Sequence, residues 1–304
     1  MPPIDMFPVR ALPEDIERTN LEQLGSKSKF WFEEQGQRVM FKEARPATGE
    51  DWAEVVCAEL ARLLMLPHAK YQLATCGEAR GVITPSFIPP GGRLIPGNEL
   101  IGRVVSDLET ARRETIHVHR VSRVMALLAH PVIQLPNGFE APFDLPRAAD
   151  VFVGYLLLDA LTGNQDRHDE NWGVARIERG VHLLPTFDHA SSLGRNERDE
   201  VRVRRLASKE ANAGMEAYVS KARSRFYEGS IDGRRMTTLE AFEAAARLSP
   251  KAAAGWIDMV RKIDNDTFRS VLDRVDGGLI SEPGREFAGK MLEINRLRLL
   301  ECEA

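Results

Sequence analysis

Apolar residues recur with two different spacings along the chain, and the change between them divides it in two. In the first part they fall in short runs with period-2 character. Residues 30–34 and 38–43 are β-prone runs around Gln35-Gly36-Gln37, which predicts a hairpin. Residues 71–76 and 81–88 predict two more strands around Gly77-Glu78. Between these pairs Val55, Ala58, Leu60, Leu63 and Leu64 recur near helical spacing, predicting a helix over 50–66 that Pro67 closes. Pro89-Pro90-Gly91-Gly92 then interrupts the pattern like a linker.

Beyond it the spacing turns helical, over 106–117, 121–129, 147–161, 238–248, 251–263, 267–275 and 285–300. Ser249-Pro250, Asp264 and Ser281 each stand just before such a stretch, where a side-chain oxygen can accept from free backbone amides. One segment departs from helix: 172–177 and 181–187 predict a second hairpin around Glu178-Arg179-Gly180, with polar motifs on both sides. The pattern predicts an α+β protein of two lobes. An N-terminal extension (1–23) precedes a small β-rich lobe with one helix (24–92) and a larger, mainly helical lobe containing the hairpin (93–304).

Composition narrows the function. With 304 residues, 43% of them hydrophobic, the chain can bury a core of enzyme size. A formal charge of -4 offers no field for a nucleic-acid backbone, so no direct nucleic-acid binding is expected. The most apolar segment, 151–161, is broken by Gly154, Tyr155 and Asp159 and falls short of the roughly 20 residues that span a bilayer, so it is expected to be a buried helix. Cys57, Cys76 and Cys302 fit neither a disulfide framework nor a structural zinc site, and the N-terminus lacks signal-peptide character. Reduced thiols and a cytoplasmic location, away from membranes, are expected.

The candidate chemistry clusters around the second hairpin. Gly163 to Val174 reads GNQDRHDENWGV, a polar loop between a helix and the hairpin. Asp166 and Asn171 are five residues apart, the separation of catalytic Asp and metal-binding Asn in the protein-kinase catalytic loop, and Asp188 follows the hairpin in PTFDHASSLG. Alone, such a pair is expected by chance, and Asp and Asn are common turn formers. The order helix, polar loop, hairpin, Asp is what favours chemistry. Phosphoryl transfer needs oxygen ligands for magnesium, here Asn171 and Asp188, and a carboxylate to position the acceptor hydroxyl and receive its proton, here Asp166. His168, grouped with Asp166 in the catalytic loop, is a candidate to orient the loop backbone; a purely structural role is the plainer alternative.

In the first lobe, strand alternation puts Val39 and Phe41 on one face and Met40 and Lys42 on the other, so Lys42 can face a nucleotide, with Glu54 on the following helix as partner. Glu50, Asp51 and Glu59 compete for that assignment. Upstream, Gly25, Ser26, Lys27 and Ser28 offer amides and positive charge to phosphates, although a polar turn has the same composition. His117 and His119, two apart, do not share a helix face. Arg202, Arg204 and Arg205 read first as a solvated charged face, and otherwise as a site for a phosphorylated residue or acidic substrate.

These residues resemble the HipA-like kinases, a bacterial branch of the protein-kinase-like fold related to toxin–antitoxin systems. The resemblance runs from about Leu24 to the end. It rests on GNQDRHDENWGV and FDHASSLG, supported by the order GSKSKF, VMFKEA, AEVVCAELARLLMLP and by the final helix EFAGKMLEINRLRLL. It implies an ATP- and magnesium-dependent serine/threonine kinase, with Asp166 as base, Asn171 and Asp188 on the metal, Lys42 on the phosphates and Glu54 as its partner. Ser86, Phe87 and Ile88 are implied as the hinge that meets adenine through its backbone. The long members carry an extra N-terminal subdomain for which residues 1–23 leave no room, so the chain looks like the short members, whose missing part would be a separate protein. A protein substrate such as a translation factor or aminoacyl-tRNA synthetase, an antitoxin partner, and autophosphorylation at Ser26 or Ser28 are further implications. Two alternatives remain at this stage: a lipid or small-molecule kinase of the phosphatidylinositol-kinase-like type, and a nucleotide-binding pseudokinase serving as an interaction module.

Overall fold

A computed structural model describes residues 5–21, 28–102, 119–210, 212–229 and 233–302. The expected helix over 106–117 lies outside them, as do Gly25, Ser26 and Lys27.

The first lobe is a six-stranded sheet in the order β1-β5-β6-β4-β3-β2. Its strands are β1 (Val9–Leu12), β2 (Asn20–Leu21), β3 (Lys29–Glu34), β4 (Gln37–Glu43), β5 (Gln72–Cys76) and β6 (Ala79–Pro85). All neighbours are antiparallel except β1, which runs parallel to β5, so residues of the N-terminal extension form both edges of the sheet. The β3–β4 turn is Gln35-Gly36, both with positive φ (50° and 76°), the backbone that matches the twist of a two-residue hairpin. Phe30, Phe32, Val39 and Phe41 fall on one face and pack with Leu12, Ala74 and Ile83 into a small separate core. The other face, through Leu73 and Val82, joins the main core beneath α1 (Glu50–Leu63).

Four acidic residues of α1 anchor it to four different cations. Glu50 pairs with Arg195 at 2.6 Å, Asp51 with Arg80 at 2.7 Å, Glu54 with Lys42 at 3.9 Å and Glu59 with Arg274 at 2.6 Å. Two of those partners, Arg195 and Arg274, belong to the second lobe, so the helix couples the lobes.

The second lobe is built on α3 (Ala148–Thr162), which is buried along its whole length. Being apolar on every side, it needs cover on every side. That cover comes from α1, α2 (Val121–Leu128), α6 (Thr238–Leu248), α7 (Pro250–Arg261) and α9 (Glu282–Leu300), while α8 (Asn265–Asp273) packs against α9 and α1. Asp264 and Ser281 cap α8 and α9 through the amides of Thr267 and Gly284, as expected. Ser249 does not cap α7. Its hydroxyl donates to Asp150 and accepts from Arg147, because α3 brings a buried carboxylate within 2.9 Å.

The expected hairpin is β9 (Gly173–Ile177) with β10 (Gly180–Leu183), the second strand stopping short of Pro185. It forms the centre of a four-stranded sheet with β7 (Arg93–Pro96) and β8 (Ile133–Gln134), strands too short to be read from the sequence pattern. Four more elements went unread: α4 (Asp199–Ala207), α5 (Met215–Val219) and the paired β11 (Arg223–Tyr227) and β12 (Arg235–Thr237). Among the described residues no helix is long and apolar enough to cross a membrane, and Cys57, Cys76 and Cys302 are free thiols.

Candidate active site

α3 ends at Gly163, whose φ of 65° is the left-handed conformation that glycine adopts without penalty and that turns the chain into the polar loop. One turn back inside the helix, Asp159 organises that loop. It accepts from Asn164 Nδ2 at 2.8 Å and takes a two-pronged pair from Arg167, Nε to Oδ2 and Nη2 to Oδ1, both at 2.8 Å. Arg167 and Asp159 are 1% and 3% exposed. Burial works to lower the Arg167 pKa, but Asp159 outweighs it and holds the guanidinium charged. The third donor, Nη1, reaches the Asn171 carbonyl at 3.0 Å, so one arginine ties the far end of the loop to the helix.

Within this frame Asn171 Nδ2 donates to the Asp166 carbonyl at 2.8 Å. That bond fixes the amide, leaving Oδ1 as the end available to a cation. The His168 amide donates to the Asp166 carbonyl at 2.7 Å, and its Nδ1 accepts from the Glu170 amide at 3.1 Å, so the ring holds the turn through backbone contacts. The Asp166 carboxylate is oriented from outside the loop. Arg225 of β11 places Nε at 3.1 Å and Nη2 at 2.9 Å from Oδ1, and Oδ2 takes no hydrogen bond among the described residues.

β11 is itself held against the loop by His119. Its Nε2 accepts from Trp172 Nε1 at 3.0 Å, so the proton sits on Nδ1, which donates to the Arg225 carbonyl at 3.1 Å. The ring lies between Phe226, 4.0 Å away, and Trp172, at 6.3 Å. Burial pushes the His119 pKa down, and more strongly that of His189, whose Nε2 faces Thr186 Oγ1 at 2.8 Å.

Asp188 follows the hairpin with φ 57°, an uncommon backbone for a non-glycine residue, and its amide donates to Tyr71 Oη at 3.1 Å. Its Oδ1 lies 2.5 Å from Lys42 Nζ, and Lys42 also lies 3.9 Å from Glu54. Lys42 is 9% exposed; burial would lower its pKa, but Asp188, Glu54 and Glu50 together hold it above its ordinary value. The oxygen-only set of Asp188 and Asn171 suits a hard divalent cation such as magnesium.

The segment Ser86-Phe87-Ile88 leads from β6 to β7. The Ser86 amide donates to the Arg38 carbonyl at 2.8 Å, Ser86 Oγ bridges the amide and carbonyl of Ile88 at 3.3 and 3.1 Å, and Phe87 stacks on Phe187 at 5.3 Å. Ser28 is exposed at the start of β3, its carbonyl accepting from the Glu43 amide. The solvated face expected for the arginines of α4 holds for Arg204 only. Arg202 is buried against Asp199 and the Gly194 carbonyl, and Arg205 lies half-buried over the Tyr218 ring at 5.0 Å, because α4 packs on α9.

Sequence reasoning missed Asp159, Arg167, His119, Arg195 and Arg225. Arg167 lies inside the motif and could have been flagged as a cation beside two acids. Arg225 carried no local signal.

No protein-family model and no curated protein matches the chain. Among solved structures it is similar to the Helicobacter pylori proinflammatory kinase CtkA, with TM-score 0.71 and 17% identity over 95% of this chain and 99% of that one. It is also similar to HipA in the Shewanella oneidensis MR-1 complex of HipA, HipB and operator DNA, with TM-score 0.54 and 14% identity over 93% of this chain and 65% of that one. The chain therefore has the fold of these kinases, the two-lobed α+β architecture that the sequence resemblance implied.

Replacing Asp159 by Asn strands a buried guanidinium and is expected to cost about 3–5 kcal/mol in urea unfolding. A double change, Asp159→Leu with Arg167→Met, should recover most of that loss while amide hydrogen exchange across 164–171 stays fast, which separates loop positioning from bulk stability. Stability should also fall with acid. The unfolded chain protonates its histidines below about pH 6.5 while folded His119 and His189 stay neutral, so unfolding free energy should drop by roughly 1.4 kcal/mol per pH unit for each as pH falls below that point. Urea titrations at pH 7.5, 6.5 and 5.5 measure it.

Proposed function

We propose that the protein is an ATP- and magnesium-dependent kinase that phosphorylates serine or threonine of a protein. The observation that supports this reading is the convergence on Lys42 of Glu54 from α1 and Asp188 from beyond the hairpin, an arrangement suited to a cation for phosphates beside a carboxylate for a metal.

In this reading Lys42 binds the α- and β-phosphates, and Glu54 keeps it pointed into the cleft. Asn171 Oδ1 and the Asp188 carboxylate hold the cation, which when bound neutralises charge on the phosphates. Asp166 Oδ2 accepts a hydrogen bond from the acceptor hydroxyl. As the hydroxyl oxygen bonds to the γ-phosphorus, the bond to the β–γ bridging oxygen breaks, ADP leaves, and the hydroxyl proton passes to Asp166. Arg225 on Oδ1 keeps the other oxygen turned to the acceptor. Ser86 to Ile88 form the adenine-facing hinge, and Gly25 to Ser28 the phosphate loop. His168 maintains the loop without touching the reacting atoms.

The similarity to CtkA, described as a proinflammatory kinase, supports a kinase. A protein acceptor, a growth-arresting role and a target in the translation apparatus are what the motif resemblance to the HipA-like kinases implies, and a separate antitoxin partner is consistent with the HipA structure, a toxin–antitoxin complex with HipB. Autophosphorylation at Ser26 or Ser28 would put about two negative charges where the ATP phosphates bind, a route to self-inhibition.

With labelled ATP and a cell lysate, the wild type should label protein bands, and Asp166→Asn should lower the rate by about 10²–10⁴-fold while keeping thermal stabilisation by magnesium-ATP. Asp188→Ala should lose that stabilisation. Label in lipid or small molecules instead of protein, or unchanged turnover in Asp166→Asn, would overturn the reading. Intact mass after incubation with ATP should rise by one phosphate in the wild type and stay unchanged in a Ser26→Ala/Ser28→Ala double variant; a phosphate gained by that variant removes the assignment.

A further inference from the structure

Beside Asp166 opens a cleft of about 510 Å³ that Lys42, Asn171 and Asp188 do not line. It therefore lies on the acceptor side of the loop, away from the nucleotide phosphates. Arg45, Arg195, Arg205, Lys221 and Arg225 line it, against two carboxylates, Asp166 and Glu197. Five cations facing two anions contrasts with a chain whose total charge is -4.

The five are not equally committed. Arg45 and Arg195 share the buried Glu50, at 3.1 and 2.6 Å, and Arg225 holds Asp166. Arg205 and Lys221 form no ion pair among the described residues. Arg205 lies over the Tyr218 ring, 5.0 Å from its centroid, with one long contact of 3.5 Å to the Ala213 carbonyl. Lys221 is exposed and follows α5 directly, one turn of chain before Arg225. Both cations thus remain available to a ligand, at a wall that also offers the apolar surfaces of Tyr218, Ala222 and Met291.

We infer that this cleft receives the acceptor as an acidic protein segment, its serine or threonine flanked by Asp or Glu that pair with Lys221 and Arg205; the inference rests on the kinase reading above. A protein segment suits the site better than a nucleic acid, because the positive charge is confined to a pocket of a few residues' volume in a net-negative chain, whereas an extended polyanion needs an extended field.

The test measures binding of fluorescein-labelled nine-residue peptides by anisotropy, using the full chain without ATP. Each peptide has a central Ala in the acceptor position and flanks of Glu, Gln or Lys. The Glu peptide should bind at least about ten-fold tighter than the Gln peptide and the Lys peptide weakest, with the advantage shrinking as salt rises. Lys221→Glu, at an exposed position that folding tolerates, should abolish the Glu preference, and Arg205→Glu should do the same wherever its unfolding midpoint shows it folded. Equal affinities for the Glu and Gln peptides, a preference unchanged in Lys221→Glu, or displacement of the Glu peptide by an oligonucleotide of equal charge at equal or lower concentration would overturn the inference. Because neither ATP nor a reactive hydroxyl is present, tight Glu-peptide binding by a protein that transfers no phosphate would sink the kinase reading alone. Phosphate transfer without flank preference would sink only this one.

Discussion

The two-pronged pair between Asp159 and Arg167 is the interaction on which the candidate active site depends. Such a pair buried on both sides does little for net stability, since withdrawing two charges from water costs about what their attraction returns. Its consequence is positional. Asp159 belongs to the helix that is buried along its whole length, and Arg167 sits one residue from Asp166, so the loop inherits the placement of the helix. With the third guanidinium donor on the Asn171 carbonyl and the Asn171 amide on the Asp166 carbonyl, the five-residue separation becomes a closed ring of hydrogen bonds.

A second set of contacts brings the lobes to this frame. Lys42 from the sheet meets Asp188, and α1 meets the segment beyond it through Glu50 and Arg195. Both contacts join residues about 145 positions apart in the chain. α1 therefore bridges the loop after Asp188, through Glu50 and Arg195, and the sheet, through Glu54 and Lys42. On the opposite side β11, fastened by His119, brings Arg225 to Asp166 and forms one wall of the basic cleft. The Lys42 side and the Arg225 side of the candidate site are thus built by different parts of the chain around one loop.

Much of this was legible beforehand. Period-2 and helical spacing located β3 to β6, α1, the β9–β10 hairpin and α6 to α9, because each has a half-buried face long enough to leave a pattern. Glu54 as partner of Lys42 could be named only among four acidic residues of α1; the structure separates them by sending the other three to Arg195, Arg80 and Arg274. β7, β8, β11 and β12 span two to five residues, too few for a period to show, and the partners of β7 and β8 lie far along the chain. The arginines of α4 looked like a solvated face since nothing local distinguishes an arginine that will be covered by α9 from one that will not.

By itself the sequence determined the two-lobe α+β plan and singled out Asp166, Asn171 and Asp188 as candidates, because those readings depend on residue type, local period and spacing along one stretch of backbone. Only the tertiary structure decided which charges meet. Arg167 turned inward to Asp159, Arg225 came to Asp166 from 59 residues away, and Lys221 and Arg205 form no ion pair among the described residues in the basic cleft. The reason is physical: periodicity records which face of an element is buried, whereas an ion pair depends on the distance between two elements, and that distance exists only once the chain has packed.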